Sequence, residues 1–365
     1  MVYIIANIVI VFTAIQLIVA FVNFVFKQKM GAKDKDNENK LVSILIPARN
    51  EEKNILNILR DLSIQDYHNY EVIVFDDQST DSTAEIVATF MQKDKKVRLI
   101  SSNGLPNGWL GKNHACHSLS VEAKGDYLLF IDADVRIKGE IISETMYFAQ
   151  KNGLSLVSIF PKQIMHGWGE YATVPIMNYI LLTLLPLILV RKIGLSSIAA
   201  ANGQYMFFDA ENYRNLLPHK AMKSEKVEDI KIARHYKQQH LKVACLASQK
   251  DAKCRMYDSY KESVNGFAKN VATFFGGSTL LAILFWLVTT FGFIPILIVY
   301  GSRGLALYLV VVLAIRLLVS IISKQSVSKN IIYLLAQQVS LGLIIIKSIQ
   351  NKLKKEHIWK GRNVL

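Results

Sequence analysis

Val2 to Phe26 carries no charged residue, a length of apolar chain sufficient to cross about 30 Å of hydrocarbon as a helix. No basic residue precedes the stretch, as a signal peptide would require, whereas Lys27, Lys29, Lys33 and Lys35 follow it. Positive charge collects on the cytoplasmic side of a span, so the pattern predicts an outside N-terminus and a cytoplasmic domain next. Residues 27–40 are polar and charged, the pattern of a tether. From residue 41 to about 160 short apolar runs alternate with helical patterns. Leu41–Ile46, Tyr70–Phe75, Val97–Ile100 and Tyr127–Ile131 read as strands, with Asn54–Leu62, Asp81–Gln92 and Lys112–Ala123 as the helices between them. That alternation predicts an α/β fold with a mostly parallel, Rossmann-like sheet.

Further along, Leu154–Phe160 and Tyr205–Phe208 read as strands and Ser224–His235 as a helix. Tyr171–Val190 is nearly uncharged but holds Pro175 and Pro186. A single crossing there would put later cytoplasmic residues on the wrong side, which favours an interfacial or buried helix pair. Residues 271–350 form the expected C-terminal membrane region. Val271–Ser302 has no charge, Leu305–Ser323 has only Arg316, and Ile331–Ile346 is uncharged but carries Gln337, Gln338 and Ser340. Three crossings would leave the basic tail of residues 351–365 (Lys352, Lys354, Lys355, Lys360, Arg362) outside, against the charge rule. Either the last segment lies in the interface or the tail is an exception.

Composition sharpens this picture. The 365 residues are 51% hydrophobic with a net charge of +14, which points to a membrane with anionic lipid. Nucleic acid is not the expected partner, because aromatic residues do not interleave with the basic ones. Cys116, Cys245 and Cys254 form an odd set without metal-site spacing, as expected of free thiols in a reducing compartment.

Candidate chemistry gathers where the strands end. Asp132-Ala133-Asp134 follows the run Tyr127–Ile131, and ligands of open α/β sheets collect at the carboxyl ends of strands. Two carboxylates there can hold a divalent cation, and the cation a diphosphate. The first strand ends in Pro47-Ala48-Arg49-Asn50-Glu51-Glu52, where Asn50-Glu51-Glu52 can simply cap a helix but Arg49 suits a phosphate or a base edge. The second ends in Asp76-Asp77-Gln78-Ser79-Thr80-Asp81. Capping employs the later residues and leaves Asp76 and Asp77 for a base and a ribose. Gly104 to Asn113 is a glycine-rich loop opening a helix, a place for phosphate, with Lys112 either a phosphate contact or a solvated lysine. It matches neither a P-loop nor a dinucleotide fingerprint. Glu228-Asp229 is either an ordinary helix start or the seat of a general base.

In this order and spacing, the four acidic and arginine-bearing segments resemble family 2 glycosyltransferases with the GT-A fold, over roughly residues 41–270. Gly108-Trp109-x-Gly111-Lys112-x-His114-Ala115-Cys116 and Trp359-Lys360-Gly361-Arg362 are similar to the membrane-bound members that glycosylate lipids. The resemblance implies that Pro47, Ala48, Arg49, Glu51, Asp76 and Asp77 surround a uridine and that Asp132 approaches the ribose. It further implies that Asp134 ligates Mg²⁺ or Mn²⁺ and that Asp229 is the base. Processive synthases of the family carry a Gln-x-x-Arg-Trp motif that Glu262–Asn270 lacks.

The expected activity is therefore inverting transfer of one sugar, with UDP-glucose as the donor the resemblance implies. The acceptor would be lipophilic, a carotenoid acid or another membrane lipid. The expected setting is the plasma membrane, multi-pass, with the catalytic domain cytoplasmic. A processive polysaccharide synthase is the alternative among enzymes. Outside enzymes it is a membrane or transport protein with a degenerate domain, although transporters place more ionisable residues in their spans than these segments hold.

Overall fold

β1 (Val42–Ala48), β2 (Tyr70–Asp76), β3 (Val97–Ser101) and β4 (Tyr127–Ile131) are the four apolar runs of the first half, alternating with helices Ile55–Ser63, Thr83–Lys93 and Gly111–Glu122. They pair in parallel, β1 with β2 and β4, and β2 with β3. Parallel neighbours need crossover helices, and these cover the sheet so that β1 and β2 are buried almost throughout. The computed structural model describes residues 1–31, 39–249, 251–354, 358–359 and 362–363. Lys33, Lys35, Lys355 and Lys360 of the predicted tether and tail, and part of the Trp359–Arg362 motif, lie outside the described residues.

The chain divides into two units, residues 28–162 with 187–255 and residues 1–27 with 163–186 and 256–365. In the first, a short β5 (Val135–Ile137), helix Ile141–Asn152, β6 (Leu156–Ile159) and the two-residue β7 (Lys162–Gln163) follow β4. β8 (Tyr205–Asp209) and β9 (Val243–Leu246) complete a seven-stranded sheet of order β3-β2-β1-β4-β8-β6-β9. β8 runs antiparallel to both β4 and β6, while β6 and β9 are parallel. The sheet is thus mixed, with one reversed strand in an otherwise parallel set. β10 (Ala252–Cys254) pairs antiparallel with β5. Arg136 of β5 grips Asp61 in a two-pronged ion pair, Nη2 to Oδ1 at 2.7 Å, and the Ile137 amide adds 3.1 Å to Oδ2. The chain reverses direction of growth after β3, so the switch point lies between β1 and β4, where Arg49 and Asp132 emerge.

The second unit is helical. Val2–Val25 and Thr279–Ile322 are long and apolar enough to cross a membrane, by length and composition. The latter breaks at Gly301, whose φ of 64° and ψ of −166° suit a residue without Cβ. Phe12 meets Phe285 edge-on at 6.0 Å, Tyr300 Oη donates to Asn7 Oδ1 at 2.6 Å, and Lys27 Nζ donates to the Ile322 carbonyl at 2.6 Å. The segment up to residue 291 therefore runs against the first helix, and the one after Gly301 runs alongside it. Within Tyr171–Val190, the first unit takes helix Leu187–Lys192 and the second takes Pro175–Leu184 and the end of Trp168–Thr173. Leu334–Lys354 is a helix with Gln337, Gln338 and Ser340 buried.

Candidate active site

Strand ends and helix starts of the sheet unit bring Asp132, Lys112, Glu228 and Asp229 together. Lys112, at the start of helix Gly111–Glu122, points its Nζ at Asp132, 2.8 Å from Oδ1 and 2.9 Å from Oδ2. Glu228 Oε1 is 3.8 Å from the same nitrogen, and the Gly203 carbonyl accepts from it at 3.3 Å. Burial would lower the Lys112 pKa, but the Asp132 and Glu228 carboxylates outweigh it and hold the ammonium charged.

Asp134 lies beyond this pair. Its Oδ1 is shut from solvent and has no donor among the described residues. The Cys254 thiol donates to the carboxylate and in turn accepts from Gln204 Nε2 at 2.9 Å. Burial first, and then the fields of Asp132 and Glu51, push the Asp134 pKa up to about 7. An orphaned carboxylate oxygen in a net-negative cluster suits a divalent cation such as Mg²⁺ or Mn²⁺. Among the described residues no group of three or more His, Cys, Asp or Glu is arranged to hold a metal alone. A cation here would therefore complete its shell from a ligand such as a diphosphate.

Asp229 opens helix Glu228–Gln238, where its Oδ2 accepts from the Gly203 amide at 2.9 Å and its Oδ1 from its neighbour Ile230 at 2.7 Å. Burial, with Glu228 beside it, raises its pKa to about 7 against the pull of those amides and Lys112. A carboxylate near neutrality is suited to proton abstraction at physiological pH.

The β1 and β2 ends interlock. Arg49 Nη1 donates to the Asp77 carbonyl, and to that of Gln78 at 3.3 Å. The Thr80 amide donates to Asn50 Oδ1 at 2.8 Å, and the Glu51 amide to Thr83 Oγ1 at 2.8 Å. Asn50 and Gln78 both hold positive φ, 53° and 57°, as tight turns facing a ligand often do. Asp76 and Asp77 are buried, and Asp76 Oδ1 meets no donor among the described residues. Pro47 and Ala48 close β1, in register with Phe75 and Asp76.

Three positioning groups escaped the sequence reading. Gly203 lies against Lys112 and Glu228: a Cβ there would stand 3.2 Å from Lys112 Nζ and 3.3 Å from Glu228 Oε1. Asn113 donates from Nδ2 to the carbonyls of Met222 at 2.7 Å and Glu225 at 2.9 Å, fixing the approach to Glu228. Cys254 fixes Asp134. Asn113 was visible beside Lys112; nothing local marks Gly203 or Cys254.

This strand order, with carboxylates at the switch point, defines the GT-A class of glycosyltransferase fold. A mannosyltransferase from Pyrobaculum calidifontis aligns with 95% of this chain and 99% of its own, at a TM-score of 0.57 and 15% identity. Residues 43–213 match the model of Glycosyl transferase family 2, so the chain carries a family 2 glycosyltransferase domain. A 4,4′-diaponeurosporenoate glycosyltransferase of Staphylococcus haemolyticus is 28% identical over 261 residues, 68% of this chain and 66% of the relative, just under two thirds of its length. The protein of the same name in Staphylococcus aureus is 27% identical over 267 residues, 72% of this chain and 69% of its own.

Proposed function

We propose that this chain is a membrane-anchored glycosyltransferase that moves one sugar from a nucleotide sugar, UDP-glucose, to a lipophilic acceptor such as a carotenoid acid, with inversion. The observation that carries the reading is the buried, donorless Asp134 Oδ1 beside the Lys112–Asp132 pair, a charge arrangement that calls for a cation and a diphosphate. Similarity to the diaponeurosporenoate enzymes supports the acceptor class.

Asp76 Oδ1 offers a buried acceptor for the imide N–H of uracil, while Asp77 and the Pro47–Glu51 turn shape the rest of the nucleoside pocket. Asp132 takes the ribose, and Lys112 balances charge at the diphosphate. Mg²⁺ or Mn²⁺ on Asp134, consistent with the Mn²⁺ and GDP-mannose named for the Pyrobaculum structure, would offset the charge of the departing nucleoside diphosphate. Asp229 receives the proton of a hydroxyl acceptor. A carboxylic acid acceptor arrives ionised near neutral pH and needs the base less. With no second carboxylate assigned below the sugar as a nucleophile, direct displacement inverts the anomeric carbon. Helix Tyr260–Asn270 carries no Gln-x-x-Arg-Trp, which supports single transfer over polymer growth.

The basic residues after Val2–Val25 support a cytoplasmic catalytic unit, and the second long apolar segment, Thr279–Ile322, supports more than one crossing of the proposed plasma membrane. The test is turnover of UDP-glucose by the full chain in membranes with Mn²⁺ or EDTA. We expect metal-dependent transfer that falls by about a hundredfold or more in Asp134→Ala. Equal turnover in EDTA, or in the variant, would overturn the reading.

A further inference from the structure

The short stretch that leads into β8 is tied to every charged group of the acidic cleft. The Gly203 carbonyl accepts from Lys112 Nζ at 3.3 Å, and the Gly203 amide donates to Asp229 Oδ2 at 2.9 Å. The Gln204 carbonyl accepts from the Asp132 amide at 3.1 Å. The Gln204 side chain donates to Cys254 Sγ at 2.9 Å, and the Cys254 thiol donates to Asp134. Asn202 opens this stretch and is half-buried, with part of its surface open to the cleft side of the chain.

Its backbone is held twice by Ser158, a fully buried residue of β6. The Asn202 amide donates to Ser158 Oγ at 2.7 Å, and that hydroxyl donates to the Asn202 carbonyl at 3.1 Å. The side chain is held at one end only. Oδ1 accepts from the Gln204 amide at 2.8 Å, and because a backbone amide only donates, this fixes which end of the side chain is oxygen. Nδ2, with two N–H donors, has no partner among the described residues. A turn residue explains Oδ1 but not Nδ2. Serine would accept from the same amide, add no charge to the carboxylate cluster and leave no donor over. Asparagine closes the turn and still presents two donors.

We propose that Asn202 reads the transferred sugar, its Nδ2 donating to one hydroxyl of the donor and so setting which hexose is accepted. The proposal rests on the nucleotide-sugar reading above. In a direct displacement the reacting carbon lies between the departing diphosphate and the attacking group. Here that is between the Lys112–Asp132 pair and Asp229, and Gly203, the neighbour of Asn202, touches both sides. The diphosphate has Lys112 and a cation on Asp134 to meet its charge, whereas a neutral amide matches a hydroxyl oxygen. A sugar without a hydroxyl at that place leaves the amide unanswered, and a site built around such a bond rejects the analogue that lacks it.

The test uses the full chain in phosphatidylcholine nanodiscs with Mn²⁺ and no acceptor, and reads binding by calorimetry. The probes are UDP, UDP-glucose, and UDP-glucose analogues in which one sugar hydroxyl at a time is replaced by hydrogen. Asn202→Ser keeps the turn and removes Nδ2. The expected result is that it binds UDP-glucose roughly tenfold more weakly than the wild-type protein and binds UDP equally well. One deoxy analogue should bind the wild-type protein roughly tenfold more weakly than UDP-glucose, and Asn202→Ser should bind that analogue as well as the wild-type protein does. Equal weakening of UDP and UDP-glucose in the variant overturns the proposal, because the side chain then serves the nucleotide or the fold. So does unchanged binding of UDP-glucose, or a deoxy series that the variant leaves parallel to that of the wild-type protein. Failure of the wild-type protein to bind either UDP or UDP-glucose overturns the donor reading and the assignment with it; each of the other failures overturns the assignment alone.

Discussion

Asp229 shows how the site sets a carboxylate against its surroundings. The helix start and the amides of Gly203 and Ile230 favour its charge, yet burial and Glu228 win and leave its pKa near 7. In the proposed role the ionised form is the base, so transfer to a hydroxyl acceptor should rise as pH climbs through about 7 and level off above it. Asp229→Asn should abolish that limb, and an acid acceptor should show only a mild loss; a pH–rate profile with both acceptors checks this. The same shift has the opposite sign for stability. The folded carboxyl holds its proton more tightly than an unfolded one, so its stabilising contribution is complete below the usual carboxylate range and is lost as pH rises through about 7. Lys112→Met would leave Asp132 and Glu228 facing each other without a cation, so the KM for the donor should rise by about tenfold or more with little change in the circular dichroism of the fold. Gly203→Ala should also slow turnover, because the new methyl presses on both Lys112 and Glu228. Asp132, Asp134, Asp76 and Asp77 were legible in the sequence because each follows a recognisable strand. Gly203 was not, because its role is an absence of atoms next to residues distant in the chain.

At the scale of elements, the first four strands and their helices could be read directly, since buried parallel strands are continuous apolar runs with polar stops. The reversal of β8 could not. Tyr205–Asp209 is as apolar as its neighbours and says nothing of direction, which the long excursion after β6 decides. β5 and β10 were invisible for another reason: three residues each are too few for any period, and pairing at long range creates them. What anchors β5 is Asp61, 5% exposed on the inner face of helix Ile55–Ser63. Its carboxylate takes both the Arg136 fork and the Ile137 amide. Arg136→Ala leaves that buried charge without its guanidinium, so it should cost about 2 kcal/mol of stability in denaturant titration of the detergent-solubilised chain. Substituting both partners by apolar residues should recover much of the loss, which separates the penalty of an unpaired charge from loss of packing.

For the whole molecule, the sequence placed the apolar segments well, but not how the helices after residue 271 run. Composition cannot show a reversal inside an uncharged stretch; the break at Gly301 and the polar ties at either end do. Because Tyr300 reaches Asn7 and Ile322 reaches Lys27, residues 300 and 322 lie at opposite ends of the bundle, separated by about 30 Å of helix. If the lysines after the first helix mark the cytoplasm, Ser302 faces the outside and Ser328 the inside. The protein suits a direct trial, since Cys116, Cys245 and Cys254 are all buried and should give little background to a thiol reagent. In intact cells, a membrane-impermeant maleimide should label Ser302→Cys at once and Ser328→Cys only after permeabilisation, both positions being exposed on the protein surface. The reverse pattern would put the acidic cleft outside, away from cytoplasmic nucleotide sugars, and the proposed donor would go with it. Equal labelling of both positions in intact cells would mean that the segment between them does not cross, and the apolar helices would then serve to lie on the membrane.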